Sequence, residues 1–579
     1  MKLSSAFKIL KKINIGLSVV ATLLILFDFG FNHTNFENQF LVSFFVITIF
    51  FNVVVLNLEY VINQKKSVFK VLIFDIIFIL FSIFLLLVQF KVFKIASFES
   101  LHWLEFLIFV GLVRYLSNLS FKYSKTKLDP SQIFVVSFII IILFGTLALM
   151  LPNATYTDIG FIDALFTSTS AVCVTGLIVV DTSTFFTPFG QGIIMVLIQI
   201  GGLGILTIAS YFSFFFKRGS SYESQLLLSE ITQSNKVNAV FGTLKYIIGI
   251  TFFVEAVSGV FIFFNVESSS FDNLGQHIFF SMFHSISAFC NAGFSTLSNS
   301  LYQTGYRFNY GLQLVVVLTF IFGGLGFPIV ANIVSYLKNK FLRLFDFKNQ
   351  IKHKPWLVNI NSRLNLITTG IITLSAFVFF IGVEFDGALA HLDFKGKLVN
   401  ALFTATTPRT AGFNTIDMAE LAVPSILFTI LLMWIGASPS STGGGIKTST
   451  IAVAVLNVFN LAQGKNKLEV FRREISQVSI SRAFATIVLS LLIIGLSILS
   501  ISIFNPKLNL LDVAFECFSA YSTVGLSLGI TSSLSTYSKI IIILTMFIGR
   551  VSMLTIIVAI VKKTMKKNYN YPKEEILIT

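Results

Sequence analysis

Charge is scarce in this 579-residue chain: Asp, Glu, Lys and Arg together make 12% of it, against about a quarter in ordinary soluble domains, which excludes a soluble globular protein. Cysteine is nearly missing. Cys173, Cys290 and Cys517 lie within or beside apolar runs without CxxC spacing, which excludes a disulfide framework and a zinc site. The 6 His are scattered without metal spacing, and no nucleophile–base constellation or GxGxxG occurs, so the chain reads as a non-enzyme without an organic cofactor. Trp is rare too, with 3 against 67 Phe, so the aromatic content is mostly apolar filler suited to lipid and helix contacts.

What is present is apolar: 55% of residues are hydrophobic. The formal net charge of +15 would suggest nucleic acid in a soluble protein, but the bases stand in short clusters between apolar runs, a mark of membrane topology, so no nucleic acid is expected. A spanning helix needs about 20 mostly apolar residues. Runs at 13–27, 40–56, 71–88 and 101–116 form an N-terminal group, and runs at 133–150, 192–216, 246–264, 311–336, 364–383, 422–461 (with a break), 485–504 and 540–561 follow. That predicts twelve spans. The first lacks a small-residue cleavage site and reads as a retained helix. With the N terminus inside, Lys65 with Lys66, Lys122 to Lys127, Lys217 with Arg218, Lys338 to Lys354, Lys465 to Arg473 and Lys562 to Lys567 all fall on the cytoplasmic side, as do both termini. Lys91 and Lys94 are the exception.

Between paired spans of the later region lie four segments too short and polar to cross: DALFTSTSAVCVTGL, FSMFHSISAFCNAGF, VNALFTATTPRTAGF and DVAFECFSAYSTVGL. Their glycines, Gly176, Gly293, Gly412 and Gly525, are separated by 117, 119 and 113 residues. Six and five positions earlier stand Ser170 and Ala171, Ser287 and Ala288, Thr406 and Thr407, Ser519 and Ala520. The unit reads as helix, short re-entrant helix, extended turn, helix, repeated in one chain. Irregular backbone at membrane depth must be buried in protein or line water, so four such turns are expected to meet at an aqueous axis. Glycine allows positive φ and lets the peptide aim its carbonyl inward, and a carbonyl ring can replace an ion's water shell. No carboxylate stands in the three residues before any of these glycines, and re-entrant helices aiming their partly negative C-terminal ends at the axis suit a monovalent cation.

The motifs TSTSAVCVTGL, AFCNAGFSTL, TTPRTAGFNT and YSTVGLS, with the loop GASPSSTGGGIKT, resemble the Trk/Ktr/HKT superfamily of potassium transporters, in its TrkH- and KtrB-type membrane subunits, over about residues 130 to 565. The resemblance implies an all-α integral membrane fold of four M1-P-M2 repeats around one pore, here preceded by about four additional transmembrane helices. The expected organisation is an N-terminal four-helix region (1–128), repeat one (129–220), repeat two (221–355), repeat three (356–475) and repeat four with the C-terminal tail (476–579). It implies potassium uptake across the cytoplasmic membrane through a filter of Val174, Thr175 and Gly176; Asn291, Ala292 and Gly293; Thr410, Ala411 and Gly412; and Thr523, Val524 and Gly525, with K+ at the glycines. A sodium-permeable or sodium-coupled pathway is the alternative. Homodimerisation within membrane lipid and a cytosolic nucleotide-binding regulatory ring of TrkA or KtrA type are implied as well.

The stretch 436–447 breaks its span with Pro439 and three glycines. It reads either as a loop between short helices or, as the resemblance implies, as an intramembrane gate of Gly436, Pro439, Ser440, Ser441, Thr442, Gly443, Gly444, Gly445 and Lys447, clasped by Arg550. Arg550 lies midway along the last span, where a charge needs a partner or water; structural pairing and a pore-facing position are the two readings. Arg409 reads as a donor pinning carbonyls behind the filter. Asn291 either lines the filter or braces it, and Glu255 is either paired in the bundle or a cation ligand. GGLG at 201–204 and 323–326 reads as close packing or as a hinge. Glu59, Asp75, Glu105 and Arg114 in the N-terminal spans loosely resemble a voltage sensor, but one arginine in the fourth span is few for steep sensing, which leaves packing or assembly.

Overall fold

The structure is a computed structural model that describes residues 2–63, 69–93, 95, 98–118, 130–204, 240–344, 359–465, 467–561, 572 and 574. The predicted basic clusters at Lys65–Lys66, Lys122–Lys127, Lys217–Arg218 and Lys562–Lys567, with Lys94 and residues 205–216 of one predicted span, lie outside the described residues. Helix dominates what is described. Among the described residues, seven helices are long and apolar enough to cross a membrane, or nine if each of two bent pairs is one span.

The first four helices, α1 (Lys2–Gly30), α2 (Asn35–Asn63), α3 (Phe69–Gln89) and α4 (Leu101–Asn118), pack on a shared core that includes Phe45, Ile49, Leu85, Ile108 and Tyr115. The buried charged side chains here have partners, because an isolated charge in an apolar interior costs far more than a paired one. Arg114 donates to both oxygens of Asp75 at 2.7 and 2.8 Å, and Tyr60 donates to Asp75 at 2.5 Å. Lys11 pairs with Glu59 at 2.7 Å and His102 with Glu105 at 3.0 Å. The bundle leans on the rest of the chain through Asn153 Nδ2, which donates to the Phe29 carbonyl at 3.2 Å, and through the stacked rings of Phe29 and Phe189.

Four units follow. The first is α5 (Pro130–Leu149), α6 (Phe161–Val172), the single turn α7 (Thr182–Phe185) and α8 (Pro188–Leu203). The second is α9 (Val240–Asn265), α10 (Leu274–Phe289), α11 (Tyr310–Gly324) and α12 (Phe327–Leu344). The third is α13 (Ile360–Glu384), α14 (Phe394–Thr406), α15 (Val423–Trp434) and α16 (Thr448–Ala462), followed by a two-residue hairpin, β1 (Glu469–Val470) with β2 (Arg473–Glu474). The fourth is α17 (Gln477–Phe504), α18 (Leu510–Ser522), α19 (Thr536–Val551) and α20 (Met553–Ile560).

In each unit the second helix is short. At 12, 16, 13 and 13 residues, α6, α10, α14 and α18 cannot span a bilayer. Side-chain caps start three of them: Asn273 accepts from the Gln276 amide, Asp393 from Gly396 and Asn509 from Leu511. Each returning helix packs on the short helix of the next unit: α8 on α10, α11 on α14, α15 on α18, and α19 on α6. The last contact joins the fourth unit to the first, so the packing closes on itself.

Two runs read as single spans are broken. The 311–336 run bends by 105° between α11 and α12, and the 540–561 run by 86° between α19 and α20. The hinge residues, Gly326 with φ 85° and Ser552 with φ 74°, leave the right-handed region, so the helix cannot continue through them.

Arg114→Ala removes the guanidinium from a fully buried carboxylate. It is expected to destabilise the N-terminal bundle by about 3–5 kcal/mol, read as a lower thermal unfolding midpoint of the purified protein.

Candidate cation pathway

The four short helices all end in the same backbone figure. Val174, Asn291, Thr410 and Thr523 have φ of 58°, 60°, 70° and 51°, and the glycines two residues later, Gly176, Gly293, Gly412 and Gly525, have φ of 91°, 70°, 77° and 90°. Positive φ alternates with the ordinary φ of Thr175, Ala292, Ala411 and Val524, which turns successive carbonyls to one side of the chain. Only glycine fits at the end of this turn. A Cβ on Gly176 would run into the Ala292 carbonyl, one on Gly412 into that of Val524 and one on Gly525 into that of Thr175; on Gly293 it would lie 2.9 Å from Gly412 Cα. Each glycine therefore abuts the next repeat's turn, and Gly525 returns to Gly176. The four predicted turns meet in one ring.

Hydroxyls at the ends of the short helices hold the turns from behind. Ser170 Oγ accepts from the Gly176 amide at 3.0 Å, and Ser519 Oγ from Gly525 at 3.1 Å. Ser287 Oγ donates to the Phe294 carbonyl at 2.7 Å. In these three repeats the amide before the glycine donates five residues back: Thr175 to Ser170, Ala292 to Ser287 and Val524 to Ser519. The third repeat is one residue shorter. Ala411 donates to Thr407, and Thr407 Oγ1 donates to the Phe413 carbonyl at 2.5 Å, so Thr407 fills the place that equal spacing gave to Thr406. Thr406 instead bonds the Leu402 carbonyl within its own helix. Pro408 accounts for the change, because it has no N–H to continue α14. Arg409 departs from its expected role: among the described residues its side chain makes no hydrogen bond to a turn carbonyl, and its Nε has no partner.

On one side of the ring opens a vestibule of about 550 Å³, lined by the residues that follow the glycines, among them Asp181, Asn299, Asn414, Asp417, Ser527 and Thr531. The other side is closed by the segment between α15 and α16. A parallel bridge between Ile435 and Ile446 pinches that segment into a loop, with Gly436 against the Gly444 carbonyl. Thr442 Oγ1 donates to Asn291 Oδ1 at 2.9 Å, the Gly444 amide donates to Thr523 Oγ1 at 2.9 Å, and Gly443 faces Thr410 so closely that a Cβ would meet its hydroxyl. Asn291 is thus a brace between the second turn and the loop. The Phe327 amide donates to the Ser440 carbonyl at 3.1 Å, Gly326 abuts the Pro439 carbonyl, and Gly445, φ 68°, packs on Ser522; Ser441 Oγ has no partner among the described residues.

Two cations fasten the loop. Lys447 Nζ donates to the Gly443 carbonyl at 2.7 Å, and Arg550 donates to the Thr442 carbonyl and, at 2.5 Å, to that of Gly201. No carboxylate pairs with either among the described residues. Glu255 Oε2 accepts from a neutral amide, Gln199 Nε2, at 3.2 Å, and its Oε1 has no partner among the described residues.

The GGLG segments pack closely and also end or bend their helices. Gly201 and Gly323 lie against the carbonyls of Val172 and Phe289, four residues before the respective ring glycines, and Gly204 and Gly326 end or bend their helices at positive φ. The fourth repeat does the same with GRVS, which the sequence reading missed: Gly549 lies against the Tyr521 carbonyl and Ser552 is the bend. In that frame Arg550 stands where repeats one and two have Gly202 and Gly324.

The chain is similar to known transport proteins over most of its length. The TrkH family, described as cation transport protein, matches residues 99–571, a span that includes α4. The potassium/sodium uptake protein NtpJ of Enterococcus hirae is 34% identical over 465 residues, covering 79% of this chain and 99% of that protein. The Ktr system potassium uptake protein B of Bacillus subtilis is 36% identical over 454 residues, 78% and 97% respectively. The crystal structure of the potassium transporter TrkH from Vibrio parahaemolyticus superposes with a TM-score of 0.59 at 18% identity, covering 85% of this chain and 98% of that one, a likeness of fold.

Gly549→Ala forces a methyl against the Tyr521 carbonyl, and such overpacking is expected to cost about 1–3 kcal/mol in thermal stability. Gly495→Ala, on α17 with nothing within 4 Å of the new methyl, is the control and is expected to be neutral or slightly stabilising.

Proposed function

The chain belongs to the TrkH family of cation transport proteins, and from that membership and the closed glycine ring we propose that it takes up potassium across the cytoplasmic membrane, with both termini in the cytoplasm. The observation that carries this reading is the mutual approach of Gly176, Gly293, Gly412 and Gly525, each against the carbonyl side of the next turn. Ions collect in the vestibule, exchange water for the carbonyls of the ring and its preceding residues, and leave past the loop. Neutral oxygens at a single ring favour a weakly hydrated monovalent cation.

In this reading the loop from Gly436 to Lys447 is the gate, and Arg550 is its latch. The carbonyls of Thr442 and Gly443, which could otherwise coordinate a dehydrated ion, are taken by Arg550 and Lys447. A cation passing about 8 Å from either charge meets about 2 kcal/mol of repulsion at an effective dielectric constant of about 20. Opening requires the loop to release these contacts. The Bacillus relative is component B of a Ktr system, which supports a separate cytosolic regulatory partner, the nucleotide-binding ring of TrkA or KtrA type, acting on a homodimer. A sodium-permeable pathway is the second reading, favoured by the potassium/sodium uptake protein among the relatives.

Rubidium flux into proteoliposomes, with and without sodium, separates the readings: a potassium pathway passes rubidium at a rate sodium does not suppress, a poorly selective one passes both, and a non-conducting scaffold passes neither. Gly412→Ser is expected to lose potassium-dependent growth in an uptake-deficient cell. Arg550→Ala, without any partner present, is expected to raise rubidium flux on the order of tenfold, and an unchanged rate would remove the latch from the reading.

A further inference from the structure

Glu516 lies midway along α18 and is 1% exposed. Its Oε1 accepts from Ser527 Oγ and, at 2.9 Å, from Thr531 Oγ1, while Oε2 has no partner among the described residues. No Lys, Arg or His pairs with it there, and Asp512 adds a second negative charge one turn earlier on the same helix. An ionised carboxylate so placed is costly unless a positive charge joins it. The two hydroxyls that meet it are 3.0 Å apart and belong to residues lining the vestibule, through which cations approach the ring.

Repeat two shows what a simple brace at this place looks like. His284 stands nine residues before its ring glycine, as Glu516 does, and Ser295 two residues after, as Ser527 does. There the imidazole is fully used: one ring nitrogen meets the Phe280 carbonyl at 2.9 Å and the other Ser295 Oγ at 2.8 Å. Glu516 has bonding capacity left over and a charge that a brace does not need.

We propose that Glu516, Ser527 and Thr531 form a binding site for a dehydrated monovalent alkali cation of sodium size, beside the vestibule and separate from the glycine ring. The donors are all oxygen, which suits a hard cation. Asp512 is only partly buried and makes no contact with the two hydroxyls, so Glu516 is the one carboxylate among the donors and balances one positive charge, whereas a divalent ion would bring an excess charge among them. To ligate the ion, each hydroxyl rotates a lone pair toward it and its proton away. An ion held there ties the strand after Gly525 to α18, so that external sodium acts on the pathway; this last link rests on reading the ring as a potassium pathway, and the binding itself does not.

The test uses the full chain in detergent at a fixed potassium concentration, with sodium chloride replacing choline chloride at constant ionic strength. The thermal unfolding midpoint is expected to rise saturably with sodium, and Glu516→Gln to abolish that rise. Thr531→Val and Ser527→Ala are expected to move the half-saturating sodium concentration upward by about tenfold or more. The absence of a saturable rise in the unaltered protein, or an equal rise in Glu516→Gln, overturns the site; should Glu516→Gln fail to fold, an unmoved half-saturation in Thr531→Val does so. Rubidium flux after the same protein is reconstituted into liposomes separates the two readings: a sodium-dependent rise without flux keeps the site and removes the pathway, and flux without any rise does the reverse.

Discussion

Hydrocarbon offers no hydrogen bonds, so every backbone group that leaves a helix inside a membrane must be satisfied by protein or face water. The four turns of this chain are arranged around that constraint. Their amides are tied inward, Thr175 to Ser170, Ala292 to Ser287, Val524 to Ser519 and Ala411 to Thr407, which leaves carbonyl oxygens as the groups that face the ring. The short helices end beside the ring because the returning helices are notched: Gly201, Gly323 and Gly549 admit the carbonyls of Val172, Phe289 and Tyr521 at distances no side chain would allow. The cyclic packing of each returning helix on the next short helix then fixes four chain segments about one axis.

Fourfold likeness stops at the third repeat, and the departures there belong together. Its turn is one residue shorter, its returning helix is interrupted after Trp434, and the interruption folds beneath the ring to touch Asn291, Thr410 and Thr523 of three different repeats. The fourth repeat answers with the one arginine in the GGLG-like frame, and Arg550 extends the contact to Gly201 of the first. A loop so placed depends on all four repeats, so a change in any one of them reaches it.

Much of this was legible in the sequence because membrane solvation leaves few options. Apolar runs located the helices, although of twelve expected spans seven, or nine with the two bent pairs, are long and apolar enough among the described residues; four glycines at near-equal spacing marked the turns, since a Gly followed by Leu or Phe after a polar half-helix has few other uses. Three features were hidden. Both Thr406 and Thr407 stand before the third glycine, and the motif beside Pro408 does not show that Thr407, five positions before it, is the one that holds the turn. The bend at Ser552 lies inside a run that reads as one span, and serine, unlike the last glycine of GGLG, does not point to positive φ. Asn291 could be assigned as a brace only once Thr442, 151 residues away, was seen against it.

The same solvation rule that builds the ring also explains why a proposed cation gate holds cations. The loop between Ile435 and Ile446 is irregular backbone at membrane depth, and its carbonyls at Thr442 and Gly443 have no amide partners of their own. Arg550 and Lys447 supply them. A neutral donor would satisfy those oxygens equally well, but would leave a row of carbonyls ready to accept a potassium ion; a guanidinium and an ammonium satisfy them and repel the ion together. Withdrawing the two side chains strands the carbonyls unless water or the permeating ion takes their place. In the proposed pathway, opening the loop and wetting the passage are therefore one event.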